Sequence, residues 1–276
     1  MTLPRIGVFD SGVGGLTVLK ALAERLPAHY FYFGDTARLP YGTKSAETVA
    51  RYAIGATRFL ESKNIDLLVI ACNTASALAL PRIKDAATVP VVGVVEPGAA
   101  MAAQVSRTRK AVVIATEATV TSHAYRDALQ RRGIEAFEKA CPLFVPLVEE
   151  GWTEHPVTEQ VARIYLDEAM ASGDGADVLV LACTHYPLIA TLLRRTAPAQ
   201  MTIVDSAEST AKVVKEMVEG SSPSLSVRAA DKGGAPVSDH RSFQFFVTDS
   251  VDKFKKLAAR FLGRQVDRVE HVDLGG

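Results

Sequence analysis

Cysteine is scarce in this chain of 276 residues: only Cys72, Cys141 and Cys183 occur, and no two of them stand in C-x-x-C spacing. An odd, dispersed set excludes a disulfide framework and a zinc finger, and it fits a reducing compartment. Net charge is also missing, because 31 Lys and Arg are cancelled by 31 Asp and Glu. No global field therefore draws the protein toward nucleic acid or an anionic membrane. There is no apolar run of about 18 residues to span a bilayer. The first residues lack the basic segment and following apolar stretch of a secretory signal. These absences point to a soluble, cytoplasmic protein. With 48% hydrophobic and 22% charged residues, the composition supports a substantial globular core.

What is present is a stretch that occurs twice. Asp66-Leu-Leu-Val-Ile-Ala-Cys72-Asn-Thr74 reappears as Asp177-Val-Leu-Val-Leu-Ala-Cys183-Thr-His185, offset by 111 positions. Each copy is a β-branched apolar run of strand length ending in a cysteine, which reads as a buried parallel strand. Ligands in parallel α/β sheets bind beyond the carboxyl ends of the strands, so each copy delivers one thiol to such a place. A lone strand-end cysteine is usually packing. Two in the same frame, each followed by hydrogen-bonding side chains, point to chemistry instead.

The rest of the chain alternates strands and helices. Residues 5–9 form a strand running into Asp10-Ser11-Gly12-Val13-Gly14-Gly15, followed by an amphipathic helix to about 26. These glycines do not match G-x-G-x-x-G with a downstream acid, which argues against dinucleotide binding. A strand at 29–33 leads into a loop at 34–43 containing Pro40, Tyr41 and Gly42. A helix follows at 45–62 with Ser45 as its N-cap, then the strand to Cys72, a helix at 75–84 and a strand at 89–95 that stops at Glu96-Pro97-Gly98. The second half repeats the order: a strand at 111–115 ending in Thr116-Glu117, a helix at 120–132 and a strand at 134–137. An apolar loop at 141–151, closed by Glu149 and Glu150, comes next, and Cys141 within it is read as packed. A helix at 158–171, the strand to Cys183, a helix at 187–195 and a strand at 201–204 complete that half. Residues 220–241, rich in Ser, Gly, Pro and charge, suggest a long surface loop. A strand at 243–247 and a helix at 251–262 end the pattern. The expected architecture is α/β, with two similar three-layer lobes, mostly parallel sheets related by pseudo-two-fold symmetry, and a site in the cleft between them. Residues 1–98 plus 208–276 form the first lobe, the tail packing back, and 99–207 the second.

Two thiols facing one another across such a cleft meet a small molecule on opposite sides. Removing a proton from a stereocentre on one face and returning one on the other inverts it. The chemistry needs one thiolate, and an unperturbed thiol near pKa 8.5 is only about 3% ionised at pH 7, a deficit of roughly 2 kcal/mol. A helix N-terminus supplies about 0.3–1 kcal/mol, so other groups must assist. His185, two residues after Cys183, serves that side, and Asp10 serves Cys72. The structural alternative for Asp10 and Ser11 is helix N-capping.

The segments Gly7-Val-Phe-Asp-Ser-Gly-Val-Gly-Gly-Leu-Thr17, Gly34-Asp-Thr-Ala-Arg-Leu-Pro-Tyr-Gly42, Ala71-Cys-Asn-Thr-Ala75, Pro90-Val-Val-Gly-Val-Val-Glu-Pro-Gly98 and Ala182-Cys-Thr-His-Tyr-Pro187 resemble the bacterial glutamate racemases. The resemblance extends over essentially the whole chain. It implies a racemase of the aspartate/glutamate superfamily, independent of any cofactor or metal, that supplies D-glutamate for peptidoglycan. It implies Cys72 as base toward the D isomer and Cys183 toward the L isomer, with Asp10, His185 and Glu149 (Glu150 being the alternative) as assistants. Substrate contacts carry over to Asp10, Ser11, Pro40, Tyr41, Gly42, Asn73, Thr74, Thr184 and His185, and the family suggests a homodimer. Ala182 departs from the Gly usual before the second cysteine. An aspartate racemase, a nucleotide-binding module built on the 10–15 turn, and a Cys/His/Asp metal site are the alternatives.

Overall fold

A computed structural model describes residues 3–220 and 241–275. The chain runs β1 (Arg5–Asp10), α1 (Leu16–Arg25), β2 (His29–Gly34), α2 (Ala46–Glu61), β3 (Leu67–Ile70), α3 (Asn73–Ala86), β4 (Val91–Gly93) and α4 (Val95–Val105). It continues with β5 (Lys110–Ala115), α5 (Glu117–Thr121), α6 (Ala124–Gln130), β6 (Glu135–Ala140), α7 (Phe144–Glu150), α8 (Pro156–Ser172), β7 (Val178–Ala182), α9 (Ala190–Thr196), β8 (Thr202–Asp205) and α10 (Ser206–Gly220). The C-terminal part holds β9 (Ser242–Val247), α11 (Val251–Leu262) and β10 (Glu270–His271). Among the described residues, no helix is long and apolar enough to cross a membrane.

Two parallel sheets result, ordered β10-β9-β2-β1-β3-β4 and β6-β5-β7-β8. The orders β2-β1-β3-β4 and β6-β5-β7-β8 are the same, so the duplication seen in the residues is a duplication of topology. Ile70 pairs with Phe9, and Ala182 pairs with Ala115. The thiols therefore leave corresponding ends of corresponding central strands. Because side chains alternate faces along a strand, Cys72 falls on the face of Leu68 and Ile70, and Cys183 on the face of Leu179 and Leu181. β9 extends the first sheet by pairing with β2. In α11, buried Phe254, Leu257, Ala258, Phe261 and Leu262 fall at helical spacing, giving the apolar stripe that seats it.

Several local expectations are corrected. The loop expected at 141–151 contains helix α7. Pro146 is only its third residue, within the first turn, where backbone N–H groups have no helical partner to lose. Glu96, Pro97 and Gly98 lie in the first turn of α4 rather than at a strand end, for the same reason, and α4 runs through residue 98. The helix expected at 120–132 is two helices, broken at His123, which adopts φ +55. The 34–43 segment contains two 3₁₀ turns, Thr36–Arg38 and Tyr41–Thr43, and Cys183 is followed by a 3₁₀ turn, Tyr186–Ile189, before α9. Ser45 caps α2, its hydroxyl accepting the Thr48 N–H at 3.2 Å. Of the loop expected at 220–241, residues 221–240 lie outside the described residues.

The repeated aspartates tie each strand start to its lobe. Asp66 Oδ2 accepts the Arg5 N–H at 2.8 Å. Asp177 accepts from the Ser106 hydroxyl (2.7 Å), the Arg107 N–H (2.7 Å), and the Thr108 N–H (3.2 Å) and hydroxyl (2.9 Å). Burial opposes its charge, yet these donors win and hold its carboxyl down at about 2. A depressed carboxylate stabilises the fold above its unfolded pKa, near 3.9, and that contribution fades as pH falls toward 2. Asp177→Ala is expected to lower the unfolding free energy by about 1–3 kcal/mol at pH 7, read by urea denaturation. Asp66→Ala should cost less, and the difference should shrink below about pH 3.

Candidate active site

The carboxyl ends of the two sheets enclose a cavity of about 450 Å³. Its walls include Ser11, Pro40, Tyr41, Gly42, Cys72, Asn73, Thr74, Glu149, Cys183, Thr184 and His185. Of the catalytic and substrate-binding residues expected from sequence, Asp10 and the alternative acid Glu150 do not line it. Asp10 is buried behind the wall, its Oδ2 accepting the Gly12 N–H at 2.9 Å while Oδ1 has no hydrogen-bond partner among the described residues. It does not cap α1, whose N-cap is Gly15 without a side-chain bond; the carboxylate closes the turn instead. Glu150 is exposed, whereas Glu149 faces the cavity. Cys141 is fully buried and absent from the wall.

The glycine-rich turn after β1 serves lobe contact. A Cβ on Gly14 would collide with Thr184 Oγ1 and come within 2.6 Å of His185 Nδ1. The next helical turn adds Thr17, whose hydroxyl lies 2.9 Å from the Thr184 carbonyl oxygen. The space a dinucleotide phosphate needs against such a turn is filled by the second lobe's Thr184 and His185.

Each thiol is held near the start of a helical segment. Cys72 caps α3, its sulfur accepting the Ala75 N–H at 3.4 Å and reaching the Ser11 hydroxyl at 3.4 Å. Burial pushes this thiol up to about 11, with Asp10 adding to the rise and Ser11 and the Ala75 N–H opposing it. Burial likewise pushes Cys183 well above the ordinary thiol range; the His185 N–H opposes this, while Cys72 and Asp10 reinforce it. Asp10 is itself raised, because burial outweighs the N–H groups of its turn. Burial thus favours the neutral forms of both thiols and of Asp10.

Two polar assemblies frame the thiols. His185 Nε2 sits 3.1 Å from Glu149 Oε1, and that bond holds the Glu149 carboxyl below its ordinary value despite burial. Across the cavity, Thr74 Oγ1 lies 3.0 Å from Thr116 Oγ1 and 3.4 Å from Thr119 Oγ1. The Tyr125 hydroxyl donates to Asn73 Oδ1 at 2.6 Å, and the Tyr41 hydroxyl to buried Asp35 at 2.5 Å. Thr116, Glu117 and Lys253 also line the cavity and were not singled out from sequence. The strand register was the signal available for Thr116: it follows Ala115 as Cys183 follows Ala182, so it stands level with Cys183 as Ser11 does with Cys72. Lys253 comes from α11 and carried no local signal.

A family model described as Asp/Glu/Hydantoin racemase matches residues 6–214. The chain belongs to the Asp/Glu/hydantoin racemase family. Within and around that family, it is 58% identical to a glutamate racemase of Koribacter versatilis, over 99% of this chain and 98% of the relative. A glutamate racemase from Thermus thermophilus, solved in complex with β-chloro-D-alanine, superimposes with TM-score 0.84 at 42% identity, covering 98% of this chain and 97% of that one. One from Francisella tularensis, in complex with D-glutamate, gives TM-score 0.85 at 32% identity, covering 99% of each chain.

Alkylation of Cys72 by iodoacetamide is expected to accelerate with pH toward an inflection near 11, well above the roughly 8.5 of a free thiol. Mass spectrometry of the modified peptide against pH measures it, and a rate already level between about pH 7 and 8 would contradict the buried, neutral thiol.

Proposed function

We propose that this protein interconverts L- and D-glutamate by a two-base reaction, with Cys72 and Cys183 as the bases. The observation that carries this reading is that both thiols open onto one cavity from equivalent ends of two duplicated sheets. One thiolate takes the α-proton, leaving the electron pair on the α-carbon. The thiol on the opposite face then donates its proton to that carbon, and the two sulfurs exchange roles. No external oxidant, reductant or cofactor enters the balance. Cys72 acts toward the D isomer and Cys183 toward the L isomer, with Asp10 behind the first and the His185–Glu149 pair beside the second.

Glutamate supplies what the cavity lacks. A thiol at about 11 is ionised roughly one part in 10⁴ at pH 7, a cost of about 5 kcal/mol. That exceeds the 2 kcal/mol of a free thiol and lies beyond a helix N-terminus, at about 0.3–1 kcal/mol. An ammonium group brought in by the substrate favours the thiolate directly, since an opposite charge nearby stabilises the ionised form. The hydroxyls of Ser11, Thr74 and Thr184 and the amide of Asn73 receive the two carboxylates, with Pro40, Tyr41 and Gly42 forming the facing wall. Similarity to relatives named glutamate racemases, one of them holding D-glutamate, supports glutamate over aspartate. The reading extends to a cytoplasmic homodimer that provides D-glutamate for peptidoglycan. It takes residues 1–98 with 208–276 as one lobe and 99–207 as the other.

Incubation with L-glutamate in D₂O is expected to yield D-glutamate carrying deuterium at the α-carbon, followed by NMR and circular dichroism. Cys72→Ala and Cys183→Ala should each reduce turnover by about 10²–10⁴-fold or more, while Cys141→Ala stays near wild type. Equal damage from all three, or folded wild type without exchange, would overturn the proposal.

A further inference from the structure

Helix α11 approaches the His185–Glu149 pair with three side chains. Lys253 Nζ lies 3.8 Å from Glu149 Oε2. Arg260 Nη1 donates to the carbonyl oxygens of Glu149 (2.5 Å) and Val148 (3.2 Å). The Phe261 ring stands edge-on to the His185 imidazole, 5.1 Å between centroids at 83°. One helix thus touches the carboxylate, the backbone that carries it and the ring it bonds.

The sequence is fitted to this approach at Gly151. That residue ends α7 at φ 85, a conformation glycine adopts without strain. A Cβ there would also lie 2.6 Å from Arg260 Nη2 and 2.8 Å from its Cζ, so the guanidinium occupies the space a side chain needs. Arg260 is bound where the last carbonyls of α7 concentrate negative partial charge, which a cation complements. α11 itself is anchored to the first sheet: Phe254 packs against Tyr32 at 5.9 Å and Phe245 at 6.3 Å between ring centroids.

We propose that Arg260 and Lys253 are positioning residues for the reaction, acting through Glu149 on His185 beside Cys183. This rests on the racemase reading for its kinetic consequence. Arg260 fixes the rotation and reach of the last turn of α7, which decides where the Glu149 carboxylate sits. Lys253 draws the second carboxylate oxygen by its charge across 3.8 Å, leaving Oε1 directed at His185 Nε2. Without the clamp, Glu149 has two oxygens and a short helix end free to turn. The His185 ring then loses the partner that sets its orientation. Because α11 is seated on the first sheet while α7 and His185 belong to the second half of the chain, the pair is set by both halves at once.

The test compares Lys253→Met, Lys253→Arg, Arg260→Met and Arg260→Lys with wild type in full-length protein. It measures kcat and KM for both glutamate isomers, the melting temperature, and the His185 ring resonances by NMR without substrate. The expected result is a fall in kcat of about tenfold for each Met variant, within what a small misplacement costs. KM should hold within about twofold, the His185 resonances should shift, and the Arg and Lys exchanges should recover most of the loss. A rise in KM with kcat unchanged in Lys253→Met would overturn the proposal, making that lysine a substrate ligand. Unshifted His185 resonances in both Met variants would also overturn it. Lys253 is exposed, so its variants carry the test if Arg260→Met does not fold. Wild type that fails to racemise glutamate would sink the functional reading alone, since the NMR comparison still decides the positioning.

Discussion

Desolvation opposes the ionisation of a buried thiol, and this opposition governs what the cleft can do. The thiols of Cys72 and Cys183 are both pushed up by burial, and Asp10 behind them is pushed toward its neutral form for the same reason. In the proposed reaction the ammonium group of an incoming amino acid offsets that burial, which couples proton removal to occupancy of the cleft. Around the sulfurs, Ser11 and the Ala75 N–H reach Cys72 and the Thr74, Thr116 and Thr119 hydroxyls bond one another, while Glu149, held toward its charged form, sits against His185.

Duplication is the economical way to build the arrangement. Two sheets with the same strand order end their central strands in cysteine, and the strand registers set Ser11 level with Cys72 and Thr116 level with Cys183. The copies are not identical in chemistry. The first side pairs its sulfur with Ser11 and stands in front of Asp10. The second has the imidazole of His185 backed by Glu149. The tail sharpens that difference, because α11 brings Lys253, Arg260 and Phe261 to the second side.

Much of this was legible in the residues because buried parallel strands are nearly continuous apolar runs and cannot be mistaken for amphipathic helices of the same length. The two cysteine strands, the α/β class and the 251–262 helix were read directly. Glu149 was preferred over Glu150, and it is the one that faces the cavity. Helix α7 falls in the apolar stretch expected as a loop, and its Pro146 lies in the first turn, where a proline costs little. The break at His123 depends on a left-handed backbone that its sequence does not announce, with Glu138 bonding its ring at 2.8 Å. Asp10 was expected in the cavity wall, but a strand-end side chain can point behind a turn as easily as past it. Lys253 and Arg260 are more than 100 positions from Glu149, and only tertiary packing brings them to it.

Inversion by two thiols requires the α-carbon to lie between the two sulfurs. A structure of the wild-type protein with bound glutamate measures this directly. The expected result is Cys72 Sγ and Cys183 Sγ on opposite faces of that carbon, each within about 3–4 Å, the range of a near-attack arrangement. Both sulfurs on one face, or one of them out of reach in the closed complex, would contradict it.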